Sequence, residues 1–238
     1  NSRMWTARLR RAWMSKLPPD KLIPDRQPAY VASWIYVFGV LTLAAFLVIL
    51  LSGLPGVGKS RLLHELKSHI QQEPHVLLHH QCSPYHSQSA FFPVIGQIEQ
   101  AAQLIAREAE SDKIAKLKAY LPRSTDNSKE PVLLIAKLLS IPLENHLELS
   151  DLTPQQIKNR TISTLVDMIL AFSVQRPTLC IFEDAHWLDP STLELLESII
   201  SRIDHARVLL IVSCRPEFRP TWMTHANTTM HSLTRLSL

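Results

Sequence analysis

The chain has 238 residues, 46% of them hydrophobic, with 5 glycines, 3 cysteines and a formal net charge of +4. This composition excludes a disordered chain and allows one sizeable core with or without an appendage. Seven Lys or Arg against two Asp give residues 1–26 a net charge of +5, so the rest of the chain sums to −1 and a basic nucleic-acid-binding surface there is disfavoured.

Residues 1–28 are predicted to be a basic amphipathic arm followed by a proline-rich linker. Over residues 3–17 the apolar side chains fall on one side of a helix whose remainder is rich in arginine. That pattern fits a helix lying in a lipid interface, or equally an ordinary basic surface helix. Regular structure is then interrupted by four prolines, Pro18, Pro19, Pro24 and Pro28.

Residues 29–45 are predicted to form an apolar, membrane-type helix. No Asp, Glu, Lys or Arg occurs between Gln27 and Gly58, and so long an apolar run is typical of a membrane-spanning helix. A buried strand is expected just before Gly53, however, and it needs residues 46–52 inside a sheet. The 17 residues that remain are at the lower limit for crossing a bilayer. The basic arm also predicts a cytoplasmic N-terminus, which would place the following motif across the membrane.

That motif is G-L-P-G-V-G-K-S at residues 53–60, a complete G-x-x-x-x-G-K-[ST] phosphate-binding loop. A glycine-rich turn presents successive backbone N–H groups to phosphates, and the helix after it adds its positive N-terminal end. Lys59 would supply a mobile charge and Ser60 a hydroxyl for Mg²⁺. Residues 47–51 are predicted to be a buried parallel strand. The nucleotide-binding set expected here is Gly53, Pro55, Gly56, Val57, Gly58, Lys59, Ser60 and Arg61.

Residues 75–82 are predicted to be a short strand that ends in a polar turn. The histidines of this region invite a zinc site. His80 and Cys82 share one strand face while His79 points away, and no paired ligand spacing supports the metal. A polar strand end is therefore favoured. The three cysteines are far apart in the chain, which predicts free thiols in a reducing compartment.

Apolar residues at helical spacing predict a helical insertion over about residues 92–150, and no chemistry is visible in it. The next helix is predicted to have Thr153 as its cap and Pro154 as its first residue, and to run to about Val174.

A second informative stretch, T-L-C-I-F-E-D-A-H-W-L-D, covers residues 178–189. An apolar strand ending in two acids suits a Mg-nucleotide site opposite a phosphate loop, because one carboxylate serves the metal and the other orients the attacking water. Glu183 and Asp184 are therefore predicted to be a Walker B pair, although two acids can also simply end a strand. Asp189 and Pro190 are predicted to begin another helix.

Arg215 follows a predicted buried strand over residues 208–213. The carboxyl end of a sheet strand is where ligands bind in open α/β folds, so Arg215 is predicted to sense a γ-phosphate. The alternative is a surface cation before a proline turn. Residues 228–236 are predicted to form a last strand.

Three segments together, GLPGVGKSRLLHEL, FEDAHWLDPSTLELLE and LLIVSCRPEF, resemble the AAA-related, STAND-type P-loop ATPase modules found beside bacterial nucleotide-cyclase domains and in large LuxR-type regulators. The resemblance covers residues 53–238. It implies an α/β P-loop NTPase fold over residues 46–238, with helices sandwiching a parallel sheet and the phosphate-loop strand in the sheet interior. It also implies a cytoplasmic domain that binds ATP and Mg²⁺ and signals through an attached or associated output domain.

By motif position, the resemblance assigns catalytic roles to Asp184, Glu183, Lys59 and Arg215, and metal contacts to Ser60 and Glu183. Many relatives have Asp where Glu183 stands, which leaves its role less defined. The helical lid that normally follows is missing, which favours binding over turnover. The alternative function is thus a non-catalytic nucleotide-binding scaffold held at a membrane by residues 1–45. The resemblance also leaves open an oligomer that supplies an arginine in trans.

Residues 16–53 separately resemble the start of a bacterial cytochrome b subunit, where a P-D-R-Q-P run enters the first membrane helix. That family's haem-ligating histidines lie on later helices, so neither a haem site nor electron transfer carries over. A junction between two unrelated pieces near residues 51–53 would explain the conflict between strand and membrane helix. A fusion is therefore a further hypothesis.

Overall fold

The computed structural model describes residues 47–122, 129–142, 149, 151–203, 206–224 and 228–233. The predicted arm and linker of residues 1–28 and the predicted membrane-type helix of residues 29–45 lie outside these residues. None of the helices within the described ranges combines the length and the apolar character that crossing a bilayer requires.

A five-stranded parallel sheet carries the fold, with the strand order β2-β3-β4-β1-β5. The strands are β1 (Leu47–Gly53), β2 (Val76–Gln81), β3 (Thr178–Glu183), β4 (Val208–Cys214) and β5 (Thr228–Leu233). The pairing places Leu50 of β1 opposite Val212 of β4 and Met230 of β5. The predicted position of the phosphate-loop strand in the sheet interior is thus confirmed, and residues 47–53 belong to the sheet.

Six α-helices within the described ranges connect or cover these strands. They are α1 (Lys59–Ile70), α2 (Phe92–Ala101), α3 (Glu110–Tyr120), α4 (Glu130–Leu138), α5 (Pro154–Gln175) and α6 (Pro190–Arg202). Short 3₁₀ turns lie at Pro84–His86, Ala185–Trp187 and Thr221–Thr224. The predicted helical insertion corresponds to α2, α3 and α4.

The sheet is covered on both faces. Successive residues of a strand point to opposite faces, and every residue of β3 and β4 is buried. On one face, Val48 and Leu50 of β1 share a buried cluster with residues of α2, α5 and α6. Ile49 and Leu51 are buried outside that cluster, as are Leu63, Leu66 and Ile70 of α1. Helices therefore sandwich the sheet, as predicted.

Helix starts follow the caps that were predicted. The Thr153 side chain accepts from the Gln156 N–H, and Gln156 Oε1 accepts from the Thr153 N–H, so α5 begins with a complete capping box. At α6, Asp189 is 1% exposed and its Oδ1 accepts from the Thr192 N–H at 2.9 Å. The same oxygen also accepts from the N–H of Phe91 at 3.1 Å. Asp189 therefore joins the start of α6 to the start of α2.

Replacing Asp189 with Ala should lower the free energy of unfolding by about 2 kcal/mol, since the helix cap and the bond to Phe91 are lost together. Asp189→Asn keeps an acceptor at the same place and should lose clearly less. Urea unfolding of the three proteins measures the difference. Equal stability of the wild type and the Ala variant would show that the shared oxygen contributes nothing.

His80 makes the stability of the fold depend on pH. Burial lowers its pKa to about 4, and its ring stacks on Phe182 at 4.4 Å between centroids. In the unfolded chain this histidine has a pKa near 6.5, so unfolding takes up a proton between pH 6.5 and 4. The free energy of unfolding therefore decreases as the pH is lowered through that window. Between pH 7 and pH 5, the free energy of unfolding of His80→Phe, which preserves the stack, should decrease by about 2 kcal/mol less than that of the wild type. Urea unfolding at both pH values measures this, and an equal decrease in the two proteins would contradict the prediction.

Candidate functional site

The phosphate-loop residues join the end of β1 to the start of α1. Gly56 and Gly58 have φ values of 77° and 101°, in the left-handed region that residues with a Cβ rarely adopt. No other group lies within 4 Å of a Cβ built at either position. The backbone conformation, rather than crowding, is therefore what requires glycine, and it leaves the loop open to an approaching ligand.

Lys59 is held against the loop that precedes it. Its Nζ donates to the carbonyl oxygens of Gly53 at 2.7 Å and Leu54 at 3.0 Å, and the residue is 7% exposed. An ammonium has three N–H donors, and these two bonds occupy two of them. A phosphate in the loop would therefore compete with backbone carbonyls for this charge.

Glu183 ends β3 in a largely buried position, 7% exposed. Its Oε2 lies 3.0 Å from His79 Nε2, and the Ser60 hydroxyl donates to the same carboxylate. The bond from His79 is the main cause of a lowered pKa, and it outweighs the opposing effect of burial. Glu183 is thus a charged group that joins α1, β2 and β3.

Asp184 turns away from the strand that carries Glu183. Its φ and ψ are 58° and 44°, its N–H donates to Ser213 Oγ of β4 at 3.0 Å, and its carbonyl accepts from the Trp187 N–H at 2.9 Å. A left-handed conformation is unfavourable for a residue with a side chain, and these bonds hold it. As a result, the side chains of Glu183 and Asp184 lie in different surroundings although the two residues are neighbours in sequence.

A cavity of about 340 Å³ opens where the loop, the end of β3 and the end of β4 meet. Arg215 lies at its edge with the guanidinium carbon 5.3 Å from the centroid of the Trp187 ring, a cation–π distance. The rings of His186 and Trp187 are 5.0 Å apart. The cavity is lined by Pro55, Gly56, Gly58, Lys59, Ser60, Arg61, Asp184, His186, Trp187 and Arg215.

Most residues that the sequence placed in the site do line this cavity. Gly53, Val57 and Glu183 do not, although Gly53 accepts the Lys59 bond and Glu183 receives the Ser60 hydroxyl. Sequence reasoning did not assign His79, His186, Trp187 or Ser213 to the site. His186 and Trp187 were visible in the H-W-x-D-P run, whereas nothing in the sequence marks the bond that the Asp184 N–H donates to Ser213.

The candidate zinc ligands around β2 do not converge. No group of three or more His, Cys, Asp or Glu side chains is positioned to hold a metal ion anywhere in the described part of the chain. His80 points into the core and His79 to Glu183, on opposite strand faces as predicted. The donor pair that suits a metal is Ser60 with Glu183, because Mg²⁺ prefers oxygen ligands and keeps waters and phosphates for its remaining positions.

Comparisons with known proteins show what this chain is similar to. A family model described as AAA ATPase domain matches residues 41–212. An uncharacterized protein of Rhizobium meliloti (strain 1021) is 26% identical over 186 residues, which make up 78% of this chain and 18% of that protein. The crystal structure of Cdc6p from Pyrobaculum aerophilum aligns with 90% of this chain, and this covers 47% of the Cdc6p chain at 16% identity and a TM-score of 0.45.

The family match also bears on the predicted boundaries. It begins at residue 41, inside the run assigned to a membrane-type helix, and continues through residues 51–53 without a break. A junction between unrelated pieces at that point therefore gains no support, and neither does a cytochrome origin for β1.

The His79 contact predicts a measurable change in Glu183. Without the imidazole, the carboxylate loses its main stabilising hydrogen bond, so His79→Ala should raise the Glu183 pKa towards or above its ordinary value. NMR titration of ¹³C-labelled glutamate carboxyls measures it. The matched control is His75→Ala, because the His75 ring contacts the Glu73 carbonyl instead. A Glu183 pKa unchanged in both variants would refute the assigned cause.

Proposed function

This chain belongs to the AAA ATPase domain family, and from that premise we propose that it is a signal-transduction switch that binds ATP with Mg²⁺, hydrolyses it slowly and passes its nucleotide state to an attached output domain. The observation that carries the proposal is the cavity shared by Lys59 and Ser60 after β1, Asp184 after β3 and Arg215 after β4. Three strand ends of one parallel sheet contribute to it, as ligand sites of open α/β folds require.

Binding would rely on the loop and the start of α1. The glycine-rich loop, with its left-handed Gly56 and Gly58, would present backbone N–H groups to the phosphates, and the N-terminal end of α1 would add positive potential. Lys59 would exchange its carbonyl partners for phosphate oxygens. Ser60 and Glu183 would hold Mg²⁺, which neutralises phosphate charge when bound.

Hydrolysis would rely on charged residues that line the same cavity. Asp184 is the carboxylate that lines it, so it would orient the attacking water, whereas Glu183 faces Ser60. Lys59 and Arg215 would stabilise the charge that spreads over the terminal phosphate oxygens during in-line transfer. This division of labour gives the longer Glu183 side chain the metal-side role, where its bonds to His79 and Ser60 set its position.

A switch function is supported by two further features. The matched stretch is 18% of the Rhizobium meliloti relative, so a module of this kind is part of a longer chain there. Arg215 rests on the Trp187 ring, and a terminal phosphate would attract the same guanidinium. Movement of Arg215 between ring and phosphate would report the nucleotide state, and a second copy of the domain could add an arginine in trans.

Two variants test binding and hydrolysis separately. Lys59→Ala should weaken ATP binding by more than about tenfold, because a charged hydrogen-bond partner of the phosphates is lost. Asp184→Asn should bind ATP with wild-type affinity and lose about a hundredfold or more in Mg-dependent phosphate release. Isothermal titration and a steady-state phosphate assay give the two quantities, with Lys137→Ala on the exposed side of α4 as the control.

Unchanged ATP affinity in Lys59→Ala would refute the binding site. Wild-type protein that binds ATP without Mg-dependent phosphate release would identify the chain as a non-catalytic nucleotide-binding scaffold. Wild-type turnover in Asp184→Asn would remove the role given to that carboxylate.

A further inference from the structure

His186 is a polar side chain of the cavity whose hydrogen-bonding groups are unused. Both ring nitrogens are screened from solvent, and neither has a hydrogen-bond partner among the described residues. A buried donor or acceptor without a partner costs about 1–3 kcal/mol, and such groups in folded proteins call for an explanation. The ring lines the same cavity as Lys59 and Arg215, so a ligand in that cavity is the natural source of a partner.

Charged groups on several elements act electrostatically on this ring. They are Lys59 of α1, Asp184 at the end of β3, and Arg215 and Glu217 after β4. Burial lowers the His186 pKa, and Arg215 lowers it further, so the imidazole is neutral around pH 7. A neutral imidazole has one N–H donor and one acceptor nitrogen. His186 can therefore donate a hydrogen bond without adding a third positive charge beside Lys59 and Arg215.

We propose that His186 is a specificity-determining residue that donates a hydrogen bond to the terminal phosphate of a nucleoside triphosphate, so that the site prefers ATP over ADP. The inference rests on the proposed function, and it adds a residue and a selectivity to it. Its position carries the argument: the ring lines the same cavity as the residues assigned to the terminal phosphate and the attacking water, Lys59, Asp184 and Arg215.

The ring is also held where it can act. His186 lies in the 3₁₀ turn Ala185–Trp187, which is closed by the bond from the Trp187 N–H to the Asp184 carbonyl. Contact between Trp187 and His186 limits rotation of the imidazole. Because its nitrogens are screened, a phosphate reaches them only after a side chain at the cavity changes rotamer, which is common when ligands bind.

The experiment compares affinities of the full chain for ATP and ADP in an Asp184→Asn background, where hydrolysis does not consume the ligand. Adding His186→Ala should weaken ATP binding by about ten- to a hundredfold, the range for a hydrogen bond to a charged group, and leave ADP binding unchanged. His186→Asn or His186→Gln retains an N–H donor, and at least one should restore part of the preference. His64→Ala, at an exposed position of α1, is the matched control.

Three outcomes would overturn the inference. An ATP to ADP affinity ratio unchanged in His186→Ala would show that the ring does not contact the terminal phosphate. Equal weakening of both nucleotides would indicate a structural role. An unchanged ratio together with slower phosphate release by the His186→Ala variant that retains Asp184 would assign the ring to the attacking water instead. Failure of the wild type to bind either nucleotide would instead refute the proposed function, so the two failures are distinguishable.

Discussion

The pairing of β1 between β4 and β5 is the constraint on which the rest of the site depends. Parallel strands end at one edge, so the register of β1 with β4 places Gly53 next to the segment that carries Arg215. The pairing of β4 with β3 then brings the two acids to the same edge. β1 has no charged side chain, and burial on both faces keeps it in the sheet interior. Without that burial, the loop would have no fixed relation to Asp184.

Around that edge, the described groups are connected by hydrogen bonds that cross from one element to another. Ser60 reaches from α1 to Glu183, and His79 reaches from β2 to the same carboxylate. Ser213 holds the backbone of Asp184 from β4. Asp184 has left the strand conformation, with a φ of 58°, so its direction is set by these bonds rather than by the alternation of residues along β3. If one carboxylate is to bind the metal and the other is to orient the attacking water, one must face Ser60 and the other must face the cavity.

Much of the fold could be predicted because its signals are local. Continuous apolar runs, or alternating apolar and polar residues, indicate strands. Thr153 and Asp189 indicate helix starts, and the glycines indicate the phosphate-binding loop. Contacts distant in sequence could not be predicted in this way. The bond from the Asp184 N–H to Ser213 joins the residue after β3 to β4. The zinc hypothesis for the histidines around His79 arose because the actual partner of His79, Glu183, is far along the chain. The arm and apolar helix predicted for residues 1–45 stay predictions.

The H-W-x-D-P run shows why a sequence signature can be more specific than the acids before it. Its side chains make different contacts: His186 and Trp187 line the cavity, Trp187 also lies under the guanidinium of Arg215, and Asp189 bonds the backbone of Thr192 and Phe91. Phe91 has a φ of 58°, an unfavourable value for an aromatic residue, and the bond to Asp189 holds it there at the start of α2. One short turn therefore joins the phosphate end of the cavity to α2 and α6. A movement of Arg215 away from Trp187 would thus act on a segment that is already bonded to two helices, and such a movement would give the proposed switch a physical route to the outside of the domain.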